Sequence, residues 1–304
     1  MIFMSSVNLF ALVSGYLYVN KKVNYNSIIN LIITALFYSI IITGITFLVF
    51  PEIFSSLKVL VSGLFPPIIN RYWYLVSYVF LFFCIPYINM FIKNINKIIL
   101  ERLIFIIFIL FSVISTFGYV DYFRINYGYS PFWLIYCYLI GAYIKLFDLP
   151  SIFKKKKMLI WYIISTVIMF ILGIITKKIG LENFFVRYNS PFVLFNSILI
   201  FTFFTNLKIK SLLVKRILQS LSSVSFEVYI VHGHYIILDY LITNNFIFMS
   251  DYSTIVLIVM MLVIITLIYI ICGIIGKLKE FIFKLLKIKK IIYPFAKFLN
   301  NNLM

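Results

Sequence analysis

Two histidines and two acidic residues share one apolar stretch, and they are the groups in this chain best placed to do chemistry. The stretch reads Ser-Val-Ser-Phe-Glu-Val-Tyr-Ile-Val-His-Gly-His-Tyr from Ser223 to Tyr235, with Asp239 shortly after it. His232 and His234 are the only histidines of the 304 residues. Glu227 and Asp239 are the only acidic residues set well inside an apolar run. An ionisable group at membrane depth is costly, which makes it a functional candidate. At about 100° per residue a helix puts Ser225, Tyr229, His232 and Asp239 on one face. Glu227 and His234 share a different face, and His232 and His234 point nearly opposite ways, which argues against a His-x-His metal clamp. A neutral imidazole at His232 could exchange a proton with a substrate hydroxyl, and Asp239, two turns on, could order the ring directly or through water. The competing reading makes His232 a core histidine bonded to a neighbouring helix. Glu227 fits better as a group neutralised or hydrogen-bonded inside a bundle than as a catalyst.

The elements that must position these groups are membrane helices. Of the residues 63% are hydrophobic and 12% charged, whereas a soluble domain is about half apolar and a quarter charged. Crossing a hydrocarbon layer about 30 Å thick takes roughly 20 helical residues. Runs that approach this length are Met4–Leu17, Ile28–Phe50, Trp73–Ile92, Leu103–Val120, Pro131–Phe147, Met158–Thr176, Pro191–Leu207, Val224–Ile242 and Thr254–Gly276. They predict an all-α polytopic bundle of about nine spans. Helix is the expected spanning form because lipid offers no partner to a free amide, and a β-barrel would show short alternating segments instead.

Charge gives the bundle a direction. Of 27 Lys and Arg, 21 fall on one side of the nine-span threading: Lys21, Lys22, Lys93, Lys97, Arg102, Lys145, Lys154–Lys157, four between Lys208 and Arg216, and seven after Gly276. The other side holds Lys58, Arg71, Arg124, Lys177, Lys178 and Arg187. Cationic loops stay in the cytoplasm, so the C-terminus is expected inside and the N-terminus outside, in a multi-pass protein of the plasma membrane. The net charge of +18 then reflects topology and anionic lipid, not a nucleic-acid partner, for which there is no folded basic domain. An outside N-terminus on an uncharged first helix is odd, and it leads us to expect a preceding helix that this sequence lacks; a nine-helix chain with an outside terminus is the alternative.

Residues 1–276 read as one membrane domain, without linker or repeat, and 277–304 as a basic tail. That tail alternates Lys with Phe, Leu and Ile at helical spacing, as an amphipathic helix on the inner leaflet would. Pro51–Tyr72 is the longest outer segment; Pro66-Pro67 breaks any helix there, and Arg71-Tyr72-Trp73 suits an interface belt. Cys84, Cys137 and Cys272 lie inside spans without CxxC spacing and read as packed thiols, so neither disulfide nor metal site is expected. No GxSxG, Walker or HExxH motif occurs.

Ser225-Phe226-Glu227-Val228-Tyr229-Ile230-Val231-His232 resembles the late S-x-x-x-Y-L-x-H signature of acyltransferase family 3 membrane proteins. Three other stretches are similar in the same order. Val7–Tyr16 resembles the F-F-x-x-S-G-Y second helix of the family, with Ala11 in place of the second Phe. Tyr72-Trp73-Tyr74-Leu75 with Pro86-Tyr87-Ile88-Asn89 resembles its W-F-x…P-x-x-N helix, and Arg187-Tyr188-Asn189-Ser190-Pro191 precedes a helix as in its polysaccharide-linked subgroup. The resemblance runs from the start to about Asp239. It departs at Asn24–Ile33, where relatives often carry Arg or Lys and this chain has neither. The family's first helix, with its catalytic histidine, would lie before the region matched here.

What the resemblance implies is transfer of an acyl group, usually acetyl from acetyl-CoA, to a hydroxyl of a surface polysaccharide or its lipid-linked precursor. Carried onto this sequence, it leaves His232, with Tyr229 of the same motif, as the mid-membrane catalytic candidate in a supporting role, beside the Asp239 that spacing adds; Lys21 and Lys22 could meet phosphate inside, and Arg71 with Trp73 could meet the acceptor sugar at the outer edge. If the missing helix carries the base, this chain would be inactive by itself. Two other classes remain open: a transporter or flippase for lipid-linked sugars or solutes, which usually spreads polar residues over several helices, and a partner subunit without chemistry.

Overall fold

The computed structural model describes residues 2–118, 120–152, 155–178, 180 and 184–302, and every regular element among them is helical. In chain order the main helices are α1 (Ser6–Tyr18), α2 (Tyr25–Val49), α3 (Leu57–Leu64), α4 (Trp73–Lys93) and α5 (Lys97–Ile107). There follow α6 (Pro131–Leu146), α7 (Lys155–Lys178), α8 (Pro191–Thr205), α9 (Leu212–Ser223) and α10 (Ser225–His232). Finally come α11 (Thr254–Leu285) and α12 (Ile288–Asn302). Their starts obey local chemistry. The Asn24, Asn96 and Ser130 side chains accept amides in the first turns of α2, α5 and α6, and proline opens α6 and α8, where no amide partner is needed.

Five helices are long and apolar enough to cross a membrane: Tyr25–Val49, Trp73–Lys93, Lys97–Phe117, Lys155–Lys178 and Thr254–Leu285. Ser6–Tyr18, Pro131–Leu146 and Pro191–Thr205 are apolar but shorter. The stretch Val224–Ile242 differs from its reading as one helix. It stops at His232, turns at Gly233–His234 and resumes as a π-helical segment over Ile237–Ile242. The last long helix runs on through Gly276 to Leu285. Pro51–Tyr72 is more than a loop, because it holds α3. Lys154, part of the basic run before α7, lies outside the described residues.

The chain forms two compact units. The first comprises Met1–Val23 and Trp73–Lys208, and in it α1 packs most extensively on α6. Glycines set that distance. A Cβ on Gly15 would lie 2.1 Å from the Tyr138 carbonyl oxygen, and one on Gly141 would lie 2.1 Å from that of Leu12. In lipid, helices associate by such close backbone packing because no hydrophobic drive separates helix from tail. Gly141→Leu is therefore expected to cost about 1–3 kcal/mol or more by overpacking, read as a lower unfolding temperature in detergent. Gly44→Ala, with open space around Gly44, should leave it unchanged. Inside this unit the buried Asn8 is engaged at both its nitrogen and its oxygen: its amide donates to the Tyr188 carbonyl (3.0 Å) and its oxygen accepts the Trp133 indole N–H (2.8 Å).

The second unit comprises Asn24–Tyr72 and Ile209–Met304. Here α10 packs on α11, α12 on α2, and α3 on α2. Helix α9 stays exposed over its whole length, with Leu213, Ile217 and Leu221 along one side.

Candidate functional site

In the second unit the broken helix places the two histidines in different circumstances. Nδ1 of His232 sits against the Val228 carbonyl one turn back. A carbonyl only accepts, so Nδ1 carries a proton, and in the neutral ring the lone pair is then on Nε2, the tautomer a general base requires. His232 is only partly buried. His234 is fully buried and both of its nitrogens are engaged: Nε2 faces the Gly63 carbonyl at 3.1 Å, and Nδ1 accepts the Ile236 amide at 3.4 Å. His234 is a strut; His232 is the histidine with a nitrogen left for chemistry.

The break is held open by α3 and the residues after it. Because the His234 amide goes to Val231 (3.3 Å), the Ile230 carbonyl loses its usual partner, and the Tyr72 hydroxyl supplies one at 2.7 Å. The Tyr235 hydroxyl donates to the Val59 carbonyl at 3.0 Å. Tyr72 itself has a φ of 56°, a left-handed conformation that costs a bulky residue about 1–2 kcal/mol and is kept only where its surroundings demand it. The Tyr229 ring packs beside that of Tyr72, with centroids 6.1 Å apart.

The break also changes the role of Asp239. Helical spacing put Asp239 on the face of His232, but past Gly233 that spacing no longer applies. The carboxylate instead receives Arg71 Nη2 on both oxygens, each at 2.8 Å. Arg71 and Asp239 thus hold each other, and among the described residues Asp239 does not bond directly to His232, the contact that helical spacing allowed. Glu227 is paired as well: Lys279 of α11 donates to it at 2.7 Å, with the two side chains 7% and 8% exposed. Gly276 makes room for this contact, since a Cβ there would lie 3.1 Å from Glu227 Cγ.

The first unit has chemistry at both ends of α4. At the C-terminal end a cavity of about 220 Å³ is lined by Val19, Asn20, Lys93, Asn96 and Phe147, among others. Lys21 and Lys22 follow Asn20 directly and are exposed. Lys97 lies over the Phe147 ring (5.1 Å) and Lys145 over the Tyr16 ring (4.8 Å). This end is therefore rich in cations beside an apolar hollow, and Lys93, Lys97 and Lys145 join the two lysines singled out from sequence. At the N-terminal end Trp73 meets Tyr129 and Tyr188, with centroids 4.6 and 5.9 Å away. Twenty-one helical residues separate the ends by about 30 Å, one membrane thickness.

The loop that precedes α6 carries unusual strain. Arg124, Asn126 and Tyr127 have φ of 51°, 48° and 54°, and such conformations at non-glycine residues cluster at functional sites. Both oxygens of Asp121 hold the loop, accepting the amides of Ile125 (3.0 Å) and Asn126 (2.6 Å). Gly128, at φ 96°, lies so close to Tyr188 that a Cβ would come within 2.7 Å of it. Among the described residues no three of His, Cys, Asp and Glu converge as a metal cage would require.

Sequence reasoning missed α3, the Arg71–Asp239 pairing and the aromatic cluster. The tyrosines of that cluster are too far apart in the chain for any periodicity to link them. Compared with known proteins, the chain matches the sequence model of the acyltransferase 3 family, an acyltransferase domain, over residues 1–275. No curated protein and no solved structure matches it.

Proposed function

The chain belongs to the acyltransferase 3 family, and on that premise we propose that it moves an acyl group, acetyl foremost, from acyl-CoA to a hydroxyl of a cell-surface polysaccharide or its lipid-linked precursor. In this reading the chain crosses the plasma membrane nine times with its C-terminus in the cytosol. The division of basic residues, 21 against six, supports that threading. The observation that carries the functional reading is the pair of dissimilar ends on α4. The lysine-flanked cavity suits a donor with phosphates and an apolar arm, made in the cytosol. The aromatic end, about 30 Å away, suits an acceptor outside.

His232 takes the proton of the acceptor hydroxyl on Nε2. The oxygen attacks the thioester carbonyl carbon, the C–S bond breaks, and the departing thiolate recovers the proton from His232. Asp239 keeps Arg71 in place beyond the break, and Tyr229, one turn before His232, packs with Tyr72. Within the first unit, taken by itself, Lys21, Lys22 and Lys93 suit the phosphates of a donor, and Trp73 suits a sugar.

The test uses membrane vesicles containing the chain, incubated with acetyl-labelled acetyl-CoA and envelope glycan. Label should enter the glycan as an alkali-labile ester. Changing Lys21, Lys22 and Lys93 together to Gln should raise KM for acetyl-CoA roughly tenfold, the equivalent of about 1.4 kcal/mol, with kcat nearly unchanged and the difference shrinking in high salt. Glycan translocation without acetyl-CoA and without label would favour a transporter instead.

A further inference from the structure

We propose that Trp73, Tyr129 and Tyr188 form a docking platform on which pyranose rings of the acceptor glycan stack. The idea rests on the acyl-transfer reading only for calling the bound sugar an acceptor; sugar binding itself needs no acyl donor. The three rings touch one another: Tyr129 is 4.6 Å from Trp73 and 4.8 Å from Tyr188, and Trp73 and Tyr188 lie within 28° of parallel. None is fully buried, and Tyr129 is 41% exposed. Tyr129 tilts by 53° and 51° against the other two rings, so the cluster presents angled, weakly hydrated aromatic faces and edges to the axial C–H groups of a pyranose.

Aromatic residues at a membrane interface usually serve as anchors that reach separately into the headgroups. These three do not act separately. Two are supplied by chain segments that are held rigid at local expense. Tyr129 follows the strained turn of Arg124, Asn126 and Tyr127, which the Asp121 carboxylate secures. Tyr188 has its carbonyl fixed by Asn8 (3.0 Å), and the next residue, Asn189, is tied by its amide to the Phe111 carbonyl (3.0 Å). A lipid anchor needs no such preorganisation; a recognition surface gains from it, because binding then orders fewer groups. Beside the platform, the Arg187 guanidinium lies 3.9 Å from the Tyr127 ring centroid, adding a cationic rim.

The full chain in detergent, without acyl-CoA, is titrated calorimetrically with three tetrasaccharides: β-1,4-linked glucose, β-1,4-linked N-acetylglucosamine and β-1,6-linked N-acetylglucosamine. At least one should bind. Trp73→Ala and Tyr129→Ala should each weaken it by roughly tenfold or more, Trp73→Phe should retain most of the affinity, and Asp121→Asn should weaken it without removing a ring. Trp161→Ala, on the exposed side of α7, should change nothing. Unfolding temperature is recorded for every variant, and Tyr129→Ala, on the exposed loop, decides the matter if Trp73→Ala fails to fold. Absence of binding by all three sugars, or wild-type affinity in folded Trp73→Ala and Tyr129→Ala, overturns the platform. Loss of acetyl transfer with sugar binding intact would instead count against the acyl-transfer reading alone.

Discussion

Acetyl transfer should fall by about 10²–10⁴-fold when His232 is replaced by Gln or Ala, the usual contribution of a general base. The effect should appear in kcat, with KM for acetyl-CoA nearly unchanged, because His232 is not among the residues that line the lysine-flanked cavity. The expectation follows from the tautomer. With Nδ1 bound to the Val228 carbonyl, Nε2 is the one lone pair the ring can offer. Asn at this position could still donate to Val228 and so preserve the helix end, yet it has no basic nitrogen, which makes His232→Asn the sharpest variant. His234 provides the contrast. Its ring is tied by both nitrogens to backbone, so His234→Ala should act through stability, lowering the unfolding temperature while the folded fraction keeps its turnover. If His232→Asn and wild type label glycan at equal rates in vesicles holding equal amounts of protein, His232 is not the base.

The second large effect concerns the buried pair of Glu227 and Lys279. Removing either partner strands a charge in a dry contact, a loss of about 3–5 kcal/mol. Glu227→Ala or Lys279→Ala should therefore lower the unfolding midpoint in denaturant sharply and reduce the yield of protein extracted from membranes. Removing both charges at once, as Glu227→Gln with Lys279→Met, should recover most of the loss, since apolar or neutral groups of similar volume replace such pairs at little cost. Single variants as stable as wild type, or a double variant no better than the singles, would show that the pair carries no such weight. The Arg71–Asp239 pair is half-exposed, so breaking it should cost far less in stability.

Much of the fold was legible because the rules for membrane helices are severe. Runs such as Ile28–Phe50 and Thr254–Gly276 reappear as Tyr25–Val49 and the start of Thr254–Leu285, since a backbone in lipid has few other ways to satisfy its amides. The edges were harder. The Lys-rich stretch after Gly276 extends its helix to Leu285 because Lys and Leu are good helix formers even where apolar periodicity fades. The family was legible too: four short motifs in order pointed to it, and the match over residues 1–275 agrees with them.

By itself, then, the sequence determined that this is an all-helical membrane chain of the acyltransferase 3 family, and that its ionisable groups gather in one apolar stretch. Those properties follow from composition and local order, which a linear reading captures. Only the tertiary structure decided what each of those groups touches. It broke the helix at Gly233, gave Asp239 to Arg71 and Glu227 to Lys279, tied up His234 and left Nε2 of His232 available. It also brought Trp73, Tyr129 and Tyr188 together. The physical reason is the same in each case: partners far apart in the chain are chosen by packing and by the need to satisfy buried polar groups, and no spacing rule along one helix can anticipate that choice.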